Sequence, residues 1–170
     1  MWITFIILAF VIFADQITKY ATELFIDKYE TIEIIPHILT ATKTYNKGAA
    51  WSMLSDSTWL LVIVSLVATV ILAYFILKND WKKKKCYSIA TTLMLGGTFG
   101  NLIDRFASVV YPEGREGVVD MIILEPLDAL WEVITGSSFP IFNVADVALV
   151  VGIVFLAIDI LLNQEKRAVK

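Results

Sequence analysis

Four stretches of predominantly apolar residues run through this 170-residue chain, at 2–25, 57–77, 86–106 and 139–162. Each has about the 20 residues that a helix needs to cross a hydrocarbon layer roughly 30 Å thick. Composition agrees: 58% of the residues are hydrophobic, against roughly 45–50% in soluble domains. The expectation is a single all-α integral membrane domain with four transmembrane helices. The first stretch has no Lys or Arg ahead of its apolar run and no small-residue cleavage site behind it. It is therefore expected to stay attached as a span, not to be removed as a signal peptide.

Orientation follows from charge. Lys78, Lys82, Lys83, Lys84 and Lys85 stand against the single Asp80 between the second and third stretches, and short basic loops remain cytoplasmic. Four spans then put both termini in the cytoplasm, in keeping with Lys166, Arg167 and Lys170 at the tail, and put 26–56 and 107–138 outside. The lysine run is read as a topology signal, with an anionic-lipid site as the alternative. In the first outer segment, TIEIIPHILTATKTYN mixes β-branched residues with partial alternation and predicts short strands at the interface. In the second, LEPLDALWEVI gathers Leu124, Leu127, Leu130, Trp131 and Ile134 near one helical face. That predicts an amphipathic helix lying on the membrane. This β-element and this helix are expected to cover a site at the outer leaflet.

Several chemistries are excluded. The net charge is only -3, and no basic stripe interleaved with aromatics points to nucleic acid. Cys86 is the only cysteine, so an internal disulfide is ruled out and a packing role expected. His37, the only histidine, has no second histidine or cysteine beside it, so no metal site is expected. There is no G-x-S-x-G elbow, HExxH motif or phosphate-binding glycine loop, and no basis for a thiol triad. No cofactor is implied. Water activated by carboxylates is the chemistry left.

Asp120 lies among Val118, Val119, Met121, Ile122 and Ile123, where desolvation favours the neutral acid. Asp146 lies about 9 Å of helical rise beyond Pro140, taken as a first-turn proline. Asn143, three residues earlier, points at the same volume on that reading. In GGTFGNLIDR, Gly96 and Gly100 allow close helix approach, Asn101 and Arg105 share a face, and Arg105 is expected to hold Asp104 ionised. Asp15 and Lys19 have the spacing of an intrahelical ion pair, with substrate or headgroup contact as the competing use. YNKGAAWS is equally a turn into the second stretch or a substrate contact.

Two close carboxylates cannot both ionise cheaply, so a pair can share one proton and act as acid and base on water and a scissile carbonyl. Asp120 with Asp146 is the favoured pair because their surroundings differ. Asp104 with Asp146 is the alternative, and purely structural hydrogen bonding by all three is a third reading. Two rival functions stand beside the enzyme: a small four-helix proton-coupled transporter using Asp15, Asp104 and Asp146, and a non-catalytic assembly protein.

The order DQITK, YNKGAAWS, GGTFGNLIDR, GVVDM, FNVAD, spanning Asp15 to Asp146, resembles lipoprotein signal peptidase, the bacterial signal peptidase II. The resemblance implies an aspartic peptidase of the bacterial cytoplasmic membrane. Such an enzyme removes signal peptides from diacylglyceryl-modified prolipoproteins by cutting on the N-terminal side of the lipidated cysteine. It implies Asp120 and Asp146 as the catalytic dyad, Asn46, Gly48, Asn101, Arg105 and Asn143 as substrate-binding residues, and Asp15, Lys19 and Asp104 as structural support. The partners implied are the prolipoproteins, membrane lipid and globomycin-type cyclic peptide inhibitors. Two features depart from the family pattern: Met121 and Trp51 stand where phenylalanine is more usual, and Glu125 to Ser138 is longer than usual.

Overall fold

The computed structural model describes residues 2–48, 58–113 and 116–168. In chain order it contains α1 (Trp2–Phe25), β1 (Thr31–Ile35), β2 (Leu39–Asn46), α2 (Thr58–Lys78), α3 (Lys85–Val110), β3 (Val118–Leu124), α4 (Glu125–Thr135) and α5 (Val144–Ala168). Trp51 falls outside the described residues.

Among the described residues, three helices are long and apolar enough to cross a membrane: α1, α2 and the part of α5 over Val144–Asn163. The fourth long helix, α3, packs against all three of them. Because its neighbours are protein, α3 can bury Ala90, Thr92, Asn101 and Asp104, where a lipid-facing helix would need apolar side chains. Its glycines serve two partners. Gly96 faces Val11 of α1, Gly100 lies against Asp15 of α1 and Ala145 of α5, and a Cβ on Gly97 would overlap the Ala145 carbonyl. The expected Gly96/Gly100 pair thus admits α1 at both positions, while the close approach of α5 depends on Gly97 as well.

The strands form one antiparallel sheet in the order β1-β2-β3. β1 and β2 are the short strands expected in the first outer segment, and the structure pairs them as an antiparallel hairpin turning at His37 with φ 60. The third strand was legible only as an apolar run. It pairs with β2 so that Asn46 is opposite Val118 and Thr44 opposite Asp120. Asn46 and Asp120 are therefore diagonal neighbours on one face of the sheet.

One boundary differs from expectation. The fourth apolar stretch begins at 139, but α5 starts at Val144. Phe142 is held extended by β3: its carbonyl accepts Ile122 N–H at 2.8 Å and Met121 N–H at 3.1 Å, and its own N–H donates to the Ile122 carbonyl at 3.2 Å. Backbone pairing with a third-strand partner replaces the helical turn that local hydropathy suggested. Pro140 consequently precedes the helix, and Asp146 is its third residue.

The short helix α4 follows β3 directly and ends at Gly136, whose φ of 72 suits a residue without Cβ. Leu130, Val133 and Ile134 are exposed on it. Trp131 turns the other way, edge-on to Phe139 with centroids 5.4 Å apart, and Phe139 stacks in the same manner on Phe142.

Candidate active site

Asp120, on β3, is only 3% exposed. Asn143 donates to its Oδ1 from Nδ2 at 2.6 Å. Asn46 also hydrogen-bonds it, its amide turned by accepting Gly48 N–H on Oδ1 at 3.0 Å. Burial, and then the charge of Asp146, push the Asp120 carboxyl up to about 7 from 3.8, against the opposing pull of the two asparagines and Lys19.

Asp146 is fixed by the start of α5. Asn143 Oδ1 accepts the Asp146 N–H at 2.9 Å, and Asp146 Oδ2 accepts the Asn143 N–H at 3.1 Å. This is a reciprocal capping box in which an aspartate takes the place usually held by Glu or Gln. Sequence spacing correctly joined Asn143 and Asp146 into one unit, but the cause is a cap and not a shared helical face.

A third asparagine ties this pair to α1. Asn101 donates from Nδ2 to Asp146 Oδ1 at 2.8 Å, while its Oδ1 accepts Lys19 Nζ at 2.9 Å and Asn143 Nδ2 at 3.2 Å. Two donors on the oxygen fix which way the amide points. Lys19 pairs with Asp15 at 2.8 Å and Asp104 at 2.7 Å, all three at most 1% exposed. Asp15 Oδ1 in turn accepts the Ala145 N–H at 3.0 Å, so α1 caps a second free amide of α5.

Asp104 thus has Lys19 of α1 as an ion-pair partner, which the sequence did not show, and it also interacts electrostatically with the expected Arg105. Arg105 donates from Nη1 to Ser65 Oγ of α2 at 2.8 Å and faces a cavity of about 440 Å³. Asn46, Asn101, Asp120 and Asp146 line the same cavity. Asn143 lies behind it, bonded to both aspartates, and Gly48 acts on it through Asn46. Asp104 is not among the described residues of the lining.

Sequence reasoning missed most of the apolar wall, which includes Val118, Trp131, Phe139, Phe142 and Val150. Trp131 was visible as part of an amphipathic face. Phe139 and Phe142 were hidden inside the fourth apolar stretch. Away from this cavity, His37 is not isolated: its ring and the carboxylates of Glu33 and Glu125 each offer a ligand atom within 4.8 Å of the others.

A family model described as signal peptidase (SPase) II matches residues 7–162. The chain belongs to the signal peptidase II family. Its members include the lipoprotein signal peptidases of Lactiplantibacillus plantarum, 34% identical over 95% of both chains, and of Enterococcus faecalis, 36% identical over 95% of this chain and 89% of that one. A lipoprotein signal peptidase of Staphylococcus aureus is 33% identical over 97% and 93%. Among solved structures, a bacterial membrane enzyme determined by the in meso method at 2.3 Å resolution superposes with a TM-score of 0.79. That match is 30% identical and covers 98% of this chain and 92% of the other. A second in meso bacterial membrane enzyme, at 1.9 Å, gives 0.75 with 31% identity over 95% and 94%. Membership of signal peptidase II makes the chain a membrane peptidase, and its cavity with two aspartates is the place to look for the chemistry.

Proposed function

We propose that this chain is an aspartic endopeptidase that removes signal peptides from diacylglyceryl-modified prolipoproteins, cutting on the N-terminal side of the lipidated cysteine. The observation that carries the reading is the joint presentation of Asp120 and Asp146 to one cavity, both held by Asn143. Their surroundings support a division of roles. Asp120, raised to about 7, enters as the neutral acid, and Asp146, accepting N–H groups on both oxygens, enters as the carboxylate.

Asp146 takes a proton from water as that water attacks the scissile carbonyl carbon, and Asp120 gives its proton to the carbonyl oxygen. Collapse of the tetrahedral intermediate returns a proton to Asp120, breaks the C–N bond, and lets Asp146 protonate the departing amine. Asn46, Asn101 and Arg105 serve substrate binding directly, Arg105 and Asn46 as donors to peptide carbonyls, and Gly48 and Asn143 serve it through the residues they hold. Asp15, Lys19 and Asp104 are support.

In the same reading α3 is the fourth membrane span of a bacterial cytoplasmic-membrane enzyme. The lysines between α2 and α3 keep that loop and both termini in the cytoplasm, and the cavity opens toward the outer leaflet. The exposed Leu130, Val133 and Ile134 of α4 support a helix that lies on the membrane and covers the site. Globomycin-type cyclic peptides are expected to inhibit by filling the cavity.

The test is cleavage of a diacylglyceryl-modified prolipoprotein in detergent by wild type and by separate Asp104→Asn, Asp120→Asn and Asp146→Asn variants, each checked for folding. Folded but inactive Asp120→Asn and Asp146→Asn, with residual turnover in Asp104→Asn, is the expected outcome. Normal turnover by Asp120→Asn would remove it from the dyad, and an inactive wild type would overturn the peptidase reading for this substrate.

A further inference from the structure

A second hollow, of about 250 Å³, adjoins the catalytic cavity and shares Phe139, Phe142, Asp146 and Val150 with it. Its remaining described walls are Leu127 of α4 and Val147 and Val151 of α5, so Asp146 is the only polar residue among the described ones that line it. Val147 is 43% exposed, Val150 60% and Val151 39%, on a helix apolar enough to lie in lipid. The hollow is therefore a trough that begins at a reacting carboxylate and runs down the outside of α5 by about one helical turn.

The substrate requires such a path. On the proposed reading, the bond to be cut lies beside Asp146, and the cysteine just beyond it carries a glycerol with two acyl chains. Those chains must leave the catalytic cavity sideways and reach the bilayer without crossing polar surface. We infer that the trough of Leu127, Phe139, Phe142, Val147, Val150 and Val151 is the binding site for the acyl chains of the lipidated cysteine. The inference deepens the proposed function and rests on it.

Another apolar hollow offers a built-in comparison. It lies between α1 and the sheet, lined by residues including Thr22, Phe25, Ile32, Leu39 and Met121, and contains neither aspartate of the dyad. An acyl chain there would have to reach around β3 from the scissile bond. The trough needs no such detour.

Because a bilayer is as apolar as the trough, binding there adds little affinity for chains already in lipid. Its contribution is to hold the cysteine in register with the dyad. Wall substitutions should therefore depend on chain length. Val147→Trp and, separately, Val151→Phe, two wall positions outside the catalytic cavity, are assayed on prolipoprotein carrying two long acyl chains and on the same peptide carrying two four-carbon chains. A loss in kcat/KM of about tenfold or more on the long-chain substrate, and under about threefold on the short-chain one, is expected.

Equal losses on both substrates, or none on either, would overturn the assignment. Where a variant does not fold, the result comes from photo-crosslinking instead, with a diazirine in the acyl chain of a substrate bound to folded Asp120→Asn protein. Adducts on Leu127, Val147, Val150 or Val151 are expected, and adducts on Phe25, Ile32 or Met121 refute the trough. If wild type cleaves the lipidated substrate but ignores chain length, the trough alone falls; if it cleaves none, the peptidase reading falls with it.

Discussion

Asn143 and Asp146 cap each other: each side chain accepts the other's backbone N–H, at 2.9 and 3.1 Å. The same asparagine donates to Asp120 at 2.6 Å, so the cap of α5 is also the link between the two carboxylates.

Replacing Asn143 by Ala removes the cap and the donor to Asp120 together. Loss of an N-cap costs about 1 kcal/mol, so the thermal midpoint should fall by only a few degrees. Cleavage should fall far more, by about a hundredfold, because both carboxylates lose their register. Midpoint and kcat measured on one preparation separate the two effects, and proportionate losses would count against a shared role.

Asp120→Asn is expected to abolish cleavage while stabilising the fold at neutral pH. An acid whose folded pKa is raised, here to about 7 from 3.8, binds more protons folded than unfolded over that interval. Its contribution is fully present below about pH 4 and is lost as pH rises to about 7. The variant should therefore unfold at a higher temperature than wild type at pH 8, with the gap shrinking toward pH 4. A gap that does not change with pH would contradict the raised carboxyl.

The same titration is expected to set the alkaline limb of activity. If Asp120 supplies the proton to the carbonyl oxygen, kcat/KM should fall about tenfold per pH unit above about 7. An initial-rate series from pH 5 to 9 reads this directly, and a flat profile would speak against shared-proton catalysis.

Lys19 and Lys28 should differ sharply. Lys19→Met leaves Asp15 and Asp104, both 0% exposed, without their cation. Breaking such a buried pair costs about 3–5 kcal/mol. Lys28 pairs with Glu116 in the open, at 37% and 42% exposure, where solvent screens the charges. Lys28→Met should leave the unfolding midpoint where it is, and similar losses for the two variants would be the wrong result.

The helical skeleton was legible because long helices are written as long apolar runs, and α1, α2 and α3 fall on the first three apolar stretches. The two strands of the first outer segment were legible from β-branched alternation, though not their pairing. β3 was not, since VVDMII reads equally well as helix or strand without its partner, and β2 supplies that partner. Nor was the start of α5, because Phe139 to Asn143 is apolar enough to continue a helix until Phe142 finds backbone donors and an acceptor on β3.

The candidate site divides in the same way. The sequence by itself determined that no serine-elbow, zinc-protease or phosphate-loop motif is present, which left carboxylates as the proposed chemistry, and the motif order named the asparagines and Arg105 that surround them. Only the tertiary structure decided which group touches which. Hydrogen bonds act within about 3 Å, and the bonds linking Lys19, Asn101, Asn143, Asp120 and Asp146 join residues of α1, α3, β3 and the start of α5. No spacing along the chain encodes such distances. They exist because Gly97 and Gly100 let α5 and α1 close on α3, and because β3 carries Asp120 to the cap of α5.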